Sequence, residues 1–148
     1  MAFQFSLRAL LRLRQSQEKQ QELLFRRACT RVELLQESIQ ATSRALVELN
    51  QCEQQMLDVG LRSAQLQFHQ LGRSALHETQ RTLAHNLEEA ETMRASRSLE
   101  FQKARQQREV LDTLRHQQSQ MYLEQEARRE QRQLDELYLL HQFRQNRS

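Results

Sequence analysis

The stretch FRRACTRVELLQESIQATSRALVELNQCEQQM, residues 25–56, decides the fold of this chain. Two series of mostly apolar residues recur in it every seven positions, and the second series is offset from the first by three: Phe25, Val32, Ile39 and Leu46, and then Ala28, Leu35, Thr42, Leu49 and Met56. Arginine, glutamine, serine and glutamate fill much of the sequence between them. This spacing is typical of a helix that buries one stripe against a second helix in a coiled coil.

The composition favours long helices over a globular core. The chain has 148 residues, of which 38% are hydrophobic and 28% are charged, and it contains no proline and two glycines. Such a chain has few places to turn, and most of its remaining residues are strong intrinsic helix formers. No run approaches the roughly 20 apolar residues of a membrane-spanning helix. The composition therefore predicts an all-α protein.

The chain has one region where it can fold back on itself. We predict helix 1 over about 3–57, a connector over about 58–74 that holds both glycines, and helix 2 over about 75–145. The predicted fold class is all-α, an elongated two-helix antiparallel coiled-coil hairpin, in a single domain over 1–148. The two helices are expected to meet along a seam that includes these residues: Phe25, Ala28, Val32, Leu35, Ile39, Leu46, Leu49, Phe101 and Ala104.

Folding the helices back around this connector gives an expected register. It places Val32 opposite Phe101 and Leu46 opposite Leu87, and it leaves the last ~20 residues of helix 2 without a partner, over ~30 Å at 1.5 Å per residue. Near the start of the chain, Leu10 and Leu13 suggest that the seam runs one residue out of step with the later heptads. An unpaired helix with an apolar stripe favours binding of a partner.

The charge pattern does not indicate nucleic-acid binding. The formal net charge is +3 and the pI is about 9.3. The arginines are nevertheless interleaved with acids three or four residues away, as on a solvated helix face. No basic block alternates with aromatic residues, which a groove for single-stranded nucleic acid would need. We therefore expect no nucleic-acid partner.

No constellation of residues predicts catalysis or a cofactor. Two glycines cannot build a phosphate-binding loop, and the five histidines form no pair at helical spacing that could share a metal. Cys29 and Cys52, if both lie on helix 1, are about 34 Å apart at 1.5 Å per residue, too far for a disulfide. The sequence predicts no catalytic residue, no cofactor and no metal site, and hence a protein that is not an enzyme.

Both chain ends carry apolar residues that the seam does not explain. Phe3 and Phe5 stand two residues apart and do not share a helical face, so either the helix starts after Phe5 or one aromatic side chain is exposed. Residues 1–15 hold three arginines and no acid, which also fits an amphipathic helix at a membrane surface. At the other end, residues 130–137 are either a solvated helix end or a partner-binding segment.

These two ends carry a resemblance to a known family. Phe5-x-Leu7, followed by Leu10-Leu11-x-Leu13-Arg14 and Glu18, resembles the opening of the flagellar FliJ proteins, and Leu134-Asp135-Glu136 is similar to their C-terminal signature. The resemblance implies a cytoplasmic component of the bacterial flagellar type III export apparatus, folded as a two-stranded antiparallel coiled coil. Such proteins bind the export ATPase near the centre of its ring and promote its assembly. They also contact the export gate and handle export chaperones.

The resemblance also implies site residues and a location. The paired chain ends would bind the ATPase through Phe5, Leu7, Leu11, Arg14, Leu134, Asp135 and Glu136. Leu83 and Leu87 are the candidates for the export gate. The protein would be peripheral, at the cytoplasmic face of the inner membrane. A generic coiled-coil adaptor or scaffold and a membrane-surface tether through the N-terminal segment remain as alternatives, and the residues do not separate a flagellar from a virulence-type secretion system.

Overall fold

The fold consists of two long helices. A computed structural model describes residues 2–60 and 62–148. Helix α1 spans Arg8–Val59 and helix α2 spans Ser63–Gln145, and no strand occurs in these two described ranges. The two helices pack against each other, so the predicted all-α two-helix hairpin is confirmed. The end of α2 lies where the sequence predicted it.

The turn between the helices is much shorter than predicted. Gly60 follows α1 with a φ of 101°, the left-handed conformation that glycine adopts without a Cβ clash, and its N–H donates to the Met56 carbonyl at 2.9 Å. The Arg62 N–H donates to Gln65 Oε1 at 3.4 Å, as in half of a capping box. The predicted connector over 58–74 is therefore wrong. Its remaining glycine, Gly72, is an interior residue of α2.

The first helix also starts later than predicted. It begins at Arg8 and not near residue 3, and the Arg8 N–H donates to the Phe5 carbonyl at 3.2 Å in the turn that precedes it. Of the two possibilities left open for Phe3 and Phe5, a helix that starts after Phe5 is the one found. The reason is that Phe5 is buried, and an extended segment lets both aromatic side chains reach α2. Leu61, inside the predicted connector, lies outside the described residues.

The chain divides into two compact units. The turn unit comprises Lys19–Gln102, and the end unit comprises the residues up to Glu18 together with Lys103–Ser148. In the turn unit, Val32 is fully buried and the rings of Phe25 and Phe101 stack with centroids 6.0 Å apart. All nine residues predicted for the seam are buried or half-buried, as the heptad pattern requires.

The register within the turn unit differs from the predicted one by a heptad. Phe101 lies against Phe25, whereas the sequence placed it opposite Val32. The polar contacts agree with the observed register, because Gln80 donates to Ser43 Oγ at 3.3 Å. The shorter turn is the physical reason: helix α2 starts at Ser63 and not near residue 75, so the chain folds back earlier and every pairing moves along α2.

The heptads of α1 can be followed to its start in the phase of the later ones, although Leu10 and Leu24 of the predicted shifted series are also half-buried. Counting back from Phe25 by sevens gives Glu18 and Leu11, and all three are buried or half-buried. Leu13, which the phase change would place in the seam, is exposed. Some seam positions in the first turns are polar, such as Glu18. Leucines beside the seam, such as Leu13, therefore produced an apparent apolar stripe one residue out of step in the sequence.

Candidate protein-binding site

The end unit has a small core that attaches the N-terminal segment, residues 2–18, to α2. Phe5, Leu11 and Leu111 are buried in it, and Phe3, Leu10 and Leu114 pack against them while remaining partly exposed. The Phe3 ring also lies beside the Tyr122 ring, with centroids 5.7 Å apart. These contacts bury Phe5 and Leu11 and leave part of Phe3 and Leu10 exposed.

A cluster of polar contacts lies beside this core, mostly one turn earlier on α2. Arg108 Nε donates to Glu18 Oε2 at 2.6 Å, and Arg108 Nη1 donates to Asp112 Oδ2 at 2.7 Å. The hydrogen bond to Glu18, with that to Asp112, raises the pKa of the Arg108 guanidinium above its ordinary value. Arg14 Nη1 donates to Gln107 Oε1 at 2.7 Å. Directional contacts between partly buried charged groups fix which turns of the two helices are paired.

The structure separates the N-terminal residues that the sequence assigned to the ATPase. Phe5 and Leu11 are 8% and 3% exposed, so their side chains serve the packing within the end unit. Arg14 is half-buried and hydrogen-bonded, and Leu7 is exposed. These four residues therefore present only part of their surface to a partner.

The C-terminal candidates are exposed, and they belong to a larger apolar surface than predicted. Every residue from Ala127 to Ser148 is exposed. Asp135 accepts a hydrogen bond from Gln131 at 3.1 Å. We name residues 134–143 the apolar helix end, because six of its ten side chains are apolar and each is 60–66% exposed: Leu134, Leu137, Tyr138, Leu139, Leu140 and Phe143.

The apolar helix end differs from an amphipathic helix. Successive residues turn by 100°, so Leu137 and Leu139 point to nearly opposite sides. Leu140 and Phe143 fill one arc between them, and Leu134 and Tyr138 fill part of the other, beside a polar strip at Asp135 and Gln142. A helix that is apolar on all sides is normally surrounded by other protein. The sequence prediction omitted Tyr138, Leu139, Leu140 and Phe143 because no single stripe contains them. Their density within ten residues was the available signal.

Two positive charges follow this surface. Arg144 lies in the last turn of α2, where a basic residue interacts favourably with the helix dipole. The Arg147 guanidinium lies 5.7 Å from the centroid of the Phe143 ring, in a cation–π contact. Glu136 is exposed beside the leucines. The surface is therefore apolar around the helix and positively charged at its tip.

The candidates for the export gate are less accessible. Leu83 and Leu87 lie in the turn unit and are half-buried. The most exposed apolar side chains of this unit lie nearer the turn and include Val59, Phe68 and Leu71. The geometry thus leaves only the outer parts of Leu83 and Leu87 for contact with another protein.

The described residues hold no site for metal chemistry. No group of three or more His, Cys, Asp or Glu side chains in residues 2–60 and 62–148 could hold a metal ion. Cys29 is half-buried and Cys52 is exposed, and both are unpaired thiols on α1. No helix built from the described residues is long and apolar enough to cross a membrane.

Comparison with known protein families gives a match over nearly the full chain. The family model described as "Flagellar FliJ protein" matches residues 3–148, essentially the whole chain. No curated protein and no solved structure gives a significant match. The match includes both chain ends and the turn, and so covers every surface described above.

Proposed function

The chain belongs to the flagellar FliJ family, and from this membership, which gives it a role in flagellar protein export, we propose that it is a non-catalytic partner of the export ATPase. It binds the ATPase through the apolar helix end, near the centre of the ATPase ring, and promotes assembly and activity of that ring. It acts at the cytoplasmic face of the inner membrane, where it also contacts the export gate and export chaperones.

The observation that supports this proposal most directly is the distribution of the leucines. A groove on a partner covers one side of a helix, whereas the centre of a ring encloses a helix from all sides. Full burial of a leucine or phenylalanine side chain contributes roughly 1.5–3 kcal/mol relative to exposure. Five such side chains, together with Tyr138, are distributed around most of one helix end and therefore favour a partner that encloses it.

The proposed site is also independent of the hairpin core. The residues of the apolar helix end are all exposed, and the core of the end unit lies well before them on α2, at Leu111 and Leu114. Substitutions at this surface should therefore change binding without changing the free energy of unfolding. This separation allows a functional test that does not depend on stability.

The test measures ATP hydrolysis by the cognate export ATPase as the chain is added in increasing ratios. Saturable stimulation is expected from the unchanged chain. Leu137→Ser and Leu139→Ser, on nearly opposite sides of the helix, are each expected to reduce it. The matched control is Leu34→Ser, which changes an equally exposed leucine of the turn unit and should leave the stimulation intact.

The outcomes distinguish the kinds of partner. Loss in both variants supports an enclosing ring, and loss in only one supports a groove on one side of the helix. If neither variant differs from Leu34→Ser, the apolar helix end is not the ATPase-binding surface. If the unchanged chain neither stimulates nor co-sediments with the ATPase, the generic adaptor with another partner becomes the better explanation.

The contact with the export gate is proposed at Leu83 and Leu87, by resemblance to the family. Because both are half-buried, their alanine variants need a stability control by circular dichroism. Binding to the cytosolic part of the gate protein should fall in Leu83→Ala and Leu87→Ala at a temperature where both are folded. If Phe68→Ala alone weakens binding, the contact lies nearer the turn.

The membrane-surface tether is the less favoured alternative. A surface helix inserts its apolar side into the lipid boundary, but Phe5 and Leu11 already use that side of the N-terminal segment within the end unit. Flotation with anionic vesicles tests it directly. Retention of the folded chain on such vesicles, but not on neutral ones, would favour the tether.

A further inference from the structure

The end unit contains a groove beside the N-terminal segment that the proposed function does not use. It has a volume of about 640 Å³ and lies between the segment before α1 and the middle of α2. Phe3, Phe5 and Leu11 supply its apolar lining. The polar lining comes from both elements: Gln4, Arg8, Arg115, His116 and Ser119.

The charges of the groove are all of one sign. Two arginines line it and no acid does. Arg8 has no ion-pair partner among the residues that the structure describes. Arg115 Nη2 lies 3.8 Å from an oxygen of Asp112, whose other oxygen accepts from Arg108. The Arg8 guanidinium thus lacks a counterion, and the Arg115 guanidinium shares Asp112 with Arg108 at a longer distance.

The surroundings strengthen this positive field. The end unit holds twelve basic side chains against eight acidic ones. The whole chain has 22 basic and 19 acidic residues, so the remaining 10 and 11 nearly cancel. The net positive charge of the chain therefore lies in the end unit, although Glu124 and Glu126 follow the groove on α2. Such a concentration attracts acidic partners over about a Debye length.

We propose that this groove binds an acidic segment of a partner protein, in which carboxylates flank one apolar side chain. The carboxylates would pair with Arg8 and Arg115, and arginine is well suited to carboxylates because its planar fork matches their geometry. The apolar side chain would cover the exposed part of Phe3, beside the edge of Phe5. The volume is that of a typical small binding cleft. This surface is separate from the apolar helix end, so it stands whether or not the proposed function does.

The test uses the full chain and a labelled peptide of about 15 residues built from glutamate, leucine and alanine. Fluorescence anisotropy should show binding that weakens as salt is raised from about 0.05 to 0.3 M, because the contacts are exposed charge pairs. A second peptide with glutamine for glutamate tests the charge, and a third with alanine for leucine tests the apolar anchor. Both should bind more weakly than the first.

The variants are chosen to keep the fold. Arg8→Glu puts an acid in the first turn of α1, where it is favourable for the helix, and Arg115→Gln keeps the length of the side chain. The double variant should bind the acidic peptide about tenfold more weakly, since one contact becomes repulsive and one is lost. The control Arg27→Glu/Arg31→Glu changes two exposed arginines of the turn unit and should bind like the unchanged chain.

Three results would overturn the inference. The double variant and the control could bind the acidic peptide equally, which would show only non-specific attraction. The glutamine peptide could bind as well as the glutamate peptide, which would make the groove a purely apolar site. The chain could ignore all three peptides yet bind anionic vesicles, lost in the double variant, which would assign the positive field to a lipid surface.

Discussion

Replacing Leu11 by alanine tests how the N-terminal segment is held in the end unit. The Leu11 side chain is 3% exposed and contributes to the core with Phe5 and Leu111. Leu→Ala removes the equivalent of three methylene groups, at about 0.8 kcal/mol each when buried, or ~2.4 kcal/mol. Complete core sites cost about 2–5 kcal/mol because a cavity remains. A core between two helices can partly close, so we expect a loss of about 2–3 kcal/mol.

Leu13→Ala is the matched control on the same helix. Its side chain is 52% exposed, so the same three groups lose only about half of the transfer free energy, near 1 kcal/mol. Alanine is also the slightly better helix former. We therefore expect Leu13→Ala to lower the free energy of unfolding by less than about 1 kcal/mol.

Urea unfolding followed by circular dichroism measures both differences, and hydrogen exchange shows where they act. In Leu11→Ala, amides of residues 8–18 should exchange faster than in the unchanged chain, because the segment detaches before the turn unit unfolds. Equal losses in the two variants would refute the assignment of Leu11 to the core. A large loss at Leu13 with little at Leu11 would instead restore the shifted seam that the sequence suggested.

Four further predictions concern the two glycines and the charge cluster. Gly60→Ala should lower the free energy of unfolding by about 1–2 kcal/mol, because alanine is strained at a φ of 101°. Gly72→Ala should raise it by about 0.5–1 kcal/mol, because alanine is the better helix residue and the new Cβ meets only Leu49, at 3.9 Å. Thermal unfolding of the two variants checks both signs. Arg108→Ala should cost about 1–3 kcal/mol by leaving two half-buried carboxylates without their partner, against about 0.3–0.5 kcal/mol for the exposed pair of Arg105. The pKa of Arg108 is raised, so the stability that its charge contributes is lost only as the pH rises through that pKa. The difference in free energy of unfolding between Arg108→Ala and the unchanged chain should therefore stay constant from about pH 7 to 9. A difference that shrinks across this range would contradict the assignment of the stabilisation to the charged Arg108.

The heptad pattern predicted the fold class and the seam because both depend on a periodicity that one sequence shows. Val32, Leu46 and Ala28 recur at coiled-coil spacing, and each is buried. The register was missed because it depends on the length of the turn. Two glycines could each have formed that turn, and only the observed φ distinguishes Gly60 from Gly72. The one local signal was Gln65, three residues after Arg62, at the position that completes half of a capping box.

The candidate site was predicted only in part, because the sequence does not show which apolar residues another part of the chain covers. Leu134 stood out because a family signature contains it, while Leu139 and Phe143 lie on other sides of the helix and match no single stripe. At the other end, Phe5 and Leu11 look like exposed anchors in the sequence, since nothing local shows that Leu111 covers them. Burial against a residue a hundred positions away depends on the register, and the register depends on a turn of three residues.

The two chain ends therefore contain similar apolar residues that are buried at one end and exposed at the other. The N-terminal segment buries its aromatic and aliphatic side chains within the end unit, and the polar contacts of Arg108 fix its position there. The apolar helix end leaves the same kinds of side chain exposed around most of the helix, at a cost in solubility that a monomeric surface rarely carries. Packing within the chain does not require leucines at such positions. A partner that encloses the helix does, and this is why the exposed leucines, more than the buried ones, indicate where the protein acts.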